Sequence, residues 1–423
     1  MKEMLKKVVY ASSCALMMAY AASAAAKTEL TMYYPIAVGG PLTEVVDGMI
    51  QDFHKENPDI TVKAVYSGNY DETRVRALSA IRGGESVQLS VLGALDAHDL
   101  VEQGLVESFS DVTKSEAEKA WLTSFYPALM ANGTIQGKVW GIPFQRSTIV
   151  MYYNKDAFKA AGLDPEKAPT TWDELVDSAK KLSKDNQYGI MIPSTGYPYW
   201  MFQALAIQNG QMLMNEEGTK TYLNTPEAVE ALTFFKELST KHQVSPKGTI
   251  EWGTLRQAFV QGQTAMMWHT TGNLTAVKKE ANFDFGVAML PGKKQPASPT
   301  GGGNFYLFKG ASDDQKQAAV DFMRWMTAPE RAAAWSIATG YVATSPAAYE
   351  TETLKKYGQS FPPALVARDQ LEVAVPEFAT YETARVRELL SNAVQAAITE
   401  TKTPQAALDE AQQGAERLLR DYQ

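Results

Sequence analysis

Four histidines, His54, His98, His242 and His269, are the first residues to test for metal or proton chemistry. No two of them fall at metal-ligand spacing, there is no H-E-x-x-H run, and the only cysteine is Cys14. A resident metal or other cofactor is therefore not expected. Neither a G-x-S-x-G elbow nor a phosphate-binding P-loop occurs. Carboxylates are plentiful, but most lie on the polar faces of predicted helices, and no acid and base pair stands out. What remains is binding chemistry. Tyr70, Tyr197, Tyr199, Trp200, Trp252 and Tyr341 fall at loop positions beside Gly, Ser and Thr at strand ends. Aromatic faces with hydroxyls and amides suit a small polyol or sugar-like ligand in a cleft. The polar triplet Gln145-Arg146-Ser147 precedes the apolar run Ile149–Tyr153. A polar bend feeding a core strand predicts either a chain crossing between two lobes, with the triplet facing the cleft, or an ordinary surface turn before a strand.

The elements that must position these residues are legible from periodicity. Glu29–Tyr34, Ile60–Tyr66 and Val87–Leu92 read as strands. Helices are predicted between them, one from Pro41 to about Glu56, the next ending at Arg82 with Val75, Leu78 and Ile81 inward. Strand, helix, strand, helix, strand predicts a parallel sheet with right-handed crossovers. Ligands of such sheets bind beyond the carboxyl ends of the strands, which places 36–40, 67–70 and 93–96 around one mouth. Thr171-Trp-Asp-Glu174 is a capping box. Gly262–Trp268 is a strand delivering His269-Thr-Thr-Gly-Asn273, and Pro299–Asn304 precedes a strand over Phe305–Phe308. From Asp314 the pattern is helical almost to the end.

The chain has 423 residues, 45% hydrophobic and 21% charged, enough for a large core and two or three domains. Lys2, Lys6 and Lys7, an apolar run to about Ala22 and small residues to Ala26 predict a secretory signal over 1–26. Its loss takes away three lysines and one glutamate, net +2, so the charge of −8 becomes −10. An acidic exported chain without cysteine is a poor partner for nucleic acid. It fits a periplasmic location and relies on its core rather than on disulfides.

Further motifs carry a resemblance. The run Phe-His-Lys-Glu-Asn-Pro-Asp59, Tyr-Tyr-Asn-Lys-Asp-Ala-Phe158, Ala-Gly-Leu-Asp-Pro165, Thr-Trp-Asp-Glu-Leu175 and Gly-Gln-Thr-Ala-Met266 together resemble the extracellular solute-binding proteins of bacterial ABC importers. Tyr66–Tyr70, Pro143–Thr148, Thr271-Gly-Asn273, Gly301-Gly302, Ala338–Tyr341, Ala384-Arg-Val386 and Lys402–Gln405 are most similar to members that capture sn-glycerol-3-phosphate. The resemblance implies an α/β, two-lobed periplasmic-binding-protein fold, type II-like, with the ligand cleft between the lobes. It implies a non-enzymatic monomer that closes on a small molecule and delivers it to inner-membrane permease subunits with a cytoplasmic ATPase. The expected ligand is a phosphate-bearing polyol such as sn-glycerol-3-phosphate or a glycerophosphodiester. A sugar or oligosaccharide, a periplasmic hydrolase and a sensor remain alternatives.

By the same resemblance the ligand residues are Tyr70, Ser147, Thr270, Gly302 and Tyr341, with Arg385 gripping the phosphate and Arg387 as the alternative two residues on. The family's glutamate at the end of the third strand is replaced here by Ala94, with Asp96 nearby. Arg146 adds a cation beside Ser147, and Trp200 completes the candidate set. The expected lobes are 27–142 plus 275–325 and 143–274 plus 326–423, with crossings near 143, 274 and 325.

Overall fold

The computed structural model describes residues 27–38, 42–184 and 186–423. The expected signal segment 1–26 and the Gly39-Gly40-Pro41 turn lie outside the described residues. The first half opens with β1 (Thr28–Tyr34), α1 (Leu42–Glu56), β2 (Ile60–Tyr66), α2 (Tyr70–Arg82) and β3 (Leu89–Gly93). In β1, alternation turns Leu30, Met32 and Tyr34 inward. Asn69 caps α2: its side chain accepts from the Glu72 amide at 3.0 Å while the Glu72 carboxylate accepts from the Asn69 amide at 2.8 Å. The inward face of α2 is Tyr70, Thr73, Ala77 and Leu78, and Val75, expected inside, is 64% exposed. The capping box sets the helix phase so that Tyr70 enters the core, and Val75 then lies on the outer side.

The chain continues through β4 (Ile142–Asn154), α3 (Trp172–Leu182), β5 (Tyr188–Met191), α4 (Pro198–Gln208), α5 (Pro226–Thr240), α6 (Trp252–Val260) and β6 (Thr264–Thr270). It then forms α7 (Leu274–Glu280), β7 (Phe285–Ala288), β8 (Ser298–Leu307), α8 (Asp313–Met326) and α9 (Pro329–Thr339). The short β9 (Ala374–Val375), α10 (Thr383–Ile398) and α11 (Pro404–Leu419) complete it. The described residues form a nine-stranded sheet whose main path is β2-β1-β3-β8-β4-β6-β5, with β7 beside β4 and β9 beside β8. β1 pairs in parallel with β2 and β3, as expected, and β8 runs antiparallel between β3 and β4. Among the described residues no helix is long and apolar enough to cross a membrane.

β4 joins the two halves. It is one continuous strand, and all 13 of its residues are buried, so Gln145-Arg146-Ser147 is not the expected bend. Most of the polar groups are satisfied inside by flanking side chains and carbonyls, Arg146 Nε excepted. Gln145 accepts the Tyr70 hydroxyl at 3.2 Å and donates to the Pro35 carbonyl at 3.3 Å. Gln370 donates to Thr148 at 2.8 Å. Pro299–Asn304, expected as a lead-in, is itself part of β8. Strands on both sides supply its backbone partners, and a register shift between Gly303 and Asn304 absorbs the left-handed backbone of Gly302 (φ 94°).

Two cores sit on either side of this crossing. The first joins Leu30, Phe53, Val91, Phe144, Phe305, Phe322, Trp335 and Tyr341. The second joins Ile149, Met151, Trp200, Phe202, Trp268, Val386 and Leu408. The expected lobe boundaries need correction in two places. Leu274 and Val277 of α7 pack with Val150 and Tyr152, and β7 pairs with β4 at Met151–Asn154, so 274–288 belongs with the second half. Trp335 stacks on Phe144 at 4.9 Å, which holds α9 on the first half although it follows residue 326. The chain thus changes halves inside β4 and β8, and again between Tyr341 and Phe378, not near 274 or 325.

Candidate binding site

A narrow cavity lies between the halves. The loops after β1 and β3 supply Ala37, Val38, Leu95 and Asp96, and the crossing strands supply Ser147 and Gly302. Tyr70, at the start of α2, and Tyr341, after α9, form one wall. Tyr341 is steadied by a column of rings in which Trp335 stacks on it at 5.9 Å and Phe144 stacks on Trp335. The facing wall is Tyr197, Tyr199, Trp200 and Trp252. All six aromatics singled out from the sequence line this cavity, although Tyr70, Tyr199, Trp200 and Trp252 do so from the first turns of helices and not from loops as expected.

The aromatic wall is tightly built. The Trp200 indole donates to the Thr300 carbonyl at 2.9 Å, and its ring lies so close to Gly301 that a Cβ there would meet it at 2.4 Å. Trp252 donates across the cleft to the Ala37 carbonyl at 3.1 Å, and Tyr197 meets its ring edge-on at 4.7 Å. His269 supports Trp252 from behind. Its Nδ1 takes the Thr270 amide at 3.0 Å and the Asn273 side-chain amide at 2.8 Å, so its proton sits on Nε2, which faces the Trp252 carbonyl at 3.1 Å. Burial pushes its pKa down to about 4, so the ring is neutral and serves as a prop. Among the described residues no group of three or more His, Cys, Asp or Glu could hold a metal ion.

Of the residues expected to meet ligand, Tyr70, Ser147, Thr270, Gly302 and Tyr341 line the cavity, as do Asp96 and Trp200. Three expectations fall elsewhere. Ala94 is buried off the lining, and its carbonyl accepts the Tyr306 hydroxyl at 3.2 Å. Arg146 is fully buried between the crossing strands, with Nη2 on Thr300 at 3.1 Å and Nη1 on Asn304 at 3.4 Å. Arg385 points out of the cavity, 64% exposed and paired with Glu382 at 3.3 Å. The lining residue is Arg387, because two helical positions turn the side chain by more than half a revolution. Its Nη2 meets Asp71 of α2 at 2.5 Å, and its guanidinium lies 5.5 Å over the Tyr199 ring. The Asp71–Arg387 and Trp252–Ala37 contacts tie the halves together at the mouth. Outside Arg387 an open groove runs between α2 and α10.

The residue that sequence reasoning missed is Glu377. It is 4% exposed, lines the cavity and accepts the Tyr199 hydroxyl at 2.7 Å. A lone acid in the otherwise apolar stretch Val373-Ala-Val-Pro-Glu-Phe-Ala379 was the available signal. Burial pushes its pKa up to about 7, against the Tyr199 hydroxyl and the nearby charges of Arg146 and Arg387. Burial likewise lifts Asp96 to about 6, opposed by Arg74 at 3.6 Å. The hydroxyls of Tyr70 and Tyr341 stay protonated, the latter pushed up to about 12 by burial.

The Glu377 shift has a measurable sign. Its folded pKa exceeds the unfolded one, so the folded state holds the extra proton between about pH 4.5 and 7. Stability from this group is fully present below that window and is lost as pH rises through it. Urea unfolding should show the wild type losing, relative to Glu377→Gln, on the order of 3 kcal/mol between pH 4.5 and 7. Parallel stability curves for the two proteins across that range would remove the buried carboxylate from this role.

The family model of the bacterial extracellular solute-binding proteins matches residues 48–363. The sn-glycerol-3-phosphate-binding periplasmic protein UgpB of Escherichia coli O6:K15:H31 is 29% identical over 98% of this chain and 97% of its own. UgpB of strain K12 is 28% identical over the same shares. Among solved structures, UgpB of Mycobacterium tuberculosis in complex with glycerophosphocholine superposes with a TM-score of 0.82 at 22% identity, covering 92% of this chain and 98% of its own. Maltose-bound MalE3 of T. maritima superposes with a TM-score of 0.80 at 23% identity, covering 92% of this chain and 100% of its own. The architecture is thus the two-lobed periplasmic-binding-protein fold.

Proposed function

This chain belongs to the bacterial extracellular solute-binding proteins, and from that premise we propose that it captures a small phosphate-bearing polyol, such as sn-glycerol-3-phosphate or a glycerophosphodiester, in the periplasm. It delivers the ligand to the inner-membrane permease subunits of an ABC importer, whose cytoplasmic ATPase drives uptake. The observation that carries the ligand class is Arg387. It is the arginine of a cavity whose other polar groups include the hydroxyls of Tyr70, Ser147, Thr270 and Tyr341, two carboxyls and the Gly302 backbone. A planar guanidinium fork matches phosphate oxygens, and hydroxyls complete the acceptor shell without bulk. The E. coli relatives named for sn-glycerol-3-phosphate support the same class.

The protein acts by binding alone. Ligand in the cleft bridges groups from both halves, so it favours the closed arrangement in which Trp252 meets Ala37 and Arg387 meets Asp71. That closed face is what the permease recognises. A neutral sugar is the second reading, favoured by Asp96 and Glu377 as acceptors for hydroxyls beside the aromatic wall.

Isothermal titration of the purified protein with sn-glycerol-3-phosphate, glycerophosphocholine and maltose separates the two. Saturable heat with a phosphate ester, none with maltose and recovery of the ester unchanged are the expected results. Heat with maltose alone would discard the phosphate class and leave the solute-binding family in place.

A further inference from the structure

The two oxygens of Glu377 differ in their surroundings. Oε1 accepts the Tyr199 hydroxyl at 2.7 Å, while Oε2 is buried and has no hydrogen-bond partner among the described residues. The backbone that carries it is fixed in place. Its amide donates to the Asn132 side-chain oxygen at 2.9 Å, and its carbonyl accepts from the Asn132 amide nitrogen at 2.8 Å. The same Asn132 oxygen takes the Thr300 hydroxyl at 3.4 Å, and Thr300 accepts from Arg146 at 3.1 Å. The Glu377 backbone is therefore anchored to both crossing strands, and the residue lines the cavity with one oxygen left without a partner among the described residues. A buried acceptor left bare is costly, so the group that meets it should be an N–H or O–H of the ligand.

Charge narrows the donor. Arg387 is already paired with Asp71 at 2.5 Å, and Asp96 faces Arg74 at 3.6 Å. Glu377 has no ion pair among the described residues; the charge of Arg146 is near enough to be felt, but its guanidinium is hydrogen-bonded to Thr300 and Asn304. A ligand that brings only negative charge adds to Glu377 and Asp96 with Arg387, itself paired to Asp71, as the cation on the cavity lining, while Arg146 and Arg74 stand behind it. A ligand with a cation of its own offsets both. Tyr199 spaces the two charges. The Arg387 guanidinium lies 5.5 Å over its ring and the Glu377 carboxylate sits on its hydroxyl. Opposite charges of one compact ligand fit that separation.

Resting on the phosphate-ester assignment above, we propose that the ligand is a glycerophosphodiester whose second alcohol carries a primary ammonium, with the phosphate on Arg387 and an ammonium N–H on Glu377 Oε2. A trimethylated ammonium has charge but no N–H, and would leave Oε2 bare. The site then selects an aminoethyl ester over its trimethylated counterpart, as sites built around a hydrogen bond reject analogues that lack the donor.

The test is calorimetric titration of the wild type and Glu377→Gln with glycerophosphoethanolamine, glycerophosphocholine and sn-glycerol-3-phosphate. Wild type should bind glycerophosphoethanolamine at least about tenfold more tightly than glycerophosphocholine, and Glu377→Gln should erase that margin. Equal or tighter binding of glycerophosphocholine by the wild type would overturn the proposal without any variant. An equal loss of all three esters in Glu377→Gln would place a glycerol hydroxyl on Oε2 and overturn it as well. Silence of all three esters would instead sink the phosphate assignment itself, and this proposal with it.

Discussion

Arg387→Ala should remove phosphate-ester binding, with a loss of about 1,000-fold in affinity. The side chain supplies a charge-assisted fork, and two such bonds in a site closed to water contribute together about 4 kcal/mol. Asp71 also loses its partner, which loosens the closed form. The two effects separate in Asp71→Asn, which keeps the fork and weakens only the cross-cleft tie; its loss should be far smaller. Arg385→Ala is the control, because that side chain is 64% exposed and points away from the cavity. It should bind as the wild type does. If Arg387→Ala retains wild-type affinity for the esters in calorimetry, the anion is held elsewhere, and Arg146 becomes the residue to change next.

Gly302→Ala should lower the stability of the whole fold by about 4 kcal/mol, combining left-handed strain with overpacking. Residue 302 has φ 94°, and a Cβ there would sit 1.9 Å from the Gln145 carbonyl oxygen. That oxygen belongs to the backbone of β4 and cannot rotate out of the way. The strands that join the halves would have to part. Gly48→Ala is the informative counterpart. Gly48 lies inside α1 with nothing within 4 Å of its added methyl, so the same substitution should stabilise by about 1 kcal/mol. Urea melts with unchanged slopes give both numbers directly. Equal midpoints for the two variants would mean the crossing strands are far more pliable than their geometry indicates.

Local periodicity revealed most of the elements and little of their partnership. The first three strands and their parallel order follow from alternation and helix spacing, and Thr171 caps its helix by accepting from the Glu174 amide at 3.2 Å, although the Glu174 carboxylate turns to Thr170 and leaves the expected capping box half made. The aromatic cluster was legible because its rings fall beside Gly, Ser and Thr near strand ends, although Tyr199, Trp200 and Tyr341 also belong to the cores. The failures share one cause, which is dependence on a distant partner. Gln145-Arg146-Ser147 looked like a bend because the residues that satisfy it lie on other segments, Pro35, Tyr70, Thr300 and Asn304 among them. The glycines of 301–303 read only as preceding a strand because the strands that flank them are not sequence neighbours. Arg385 and Arg387 differ only in helix phase, which depends on where α10 begins and what it packs against. Glu377 carries no motif at all; it matters because Tyr199, 178 residues away, meets it.

The position of β8 also dictates the order in which the protein can assemble. β8 is hydrogen-bonded to β3 on one side and to β4 on the other, yet it arrives at residues 298–307. Until then β3 and β4 each present an open edge, and the first core lacks Phe305, Leu307, Phe322 and Trp335. The second core is equally unfinished, because it needs Val386, Leu390 and Leu408 from the last stretch of the chain. A polypeptide emerging from its N-terminus therefore carries two incomplete sheets and can close neither before it is nearly whole. Such dependence on remote pairing makes folding slow and exposes strand edges to other chains in the meantime. For a chain exported as proposed here, that delay is useful: it stays loose enough to be threaded across a membrane and becomes compact only after its last helices have followed.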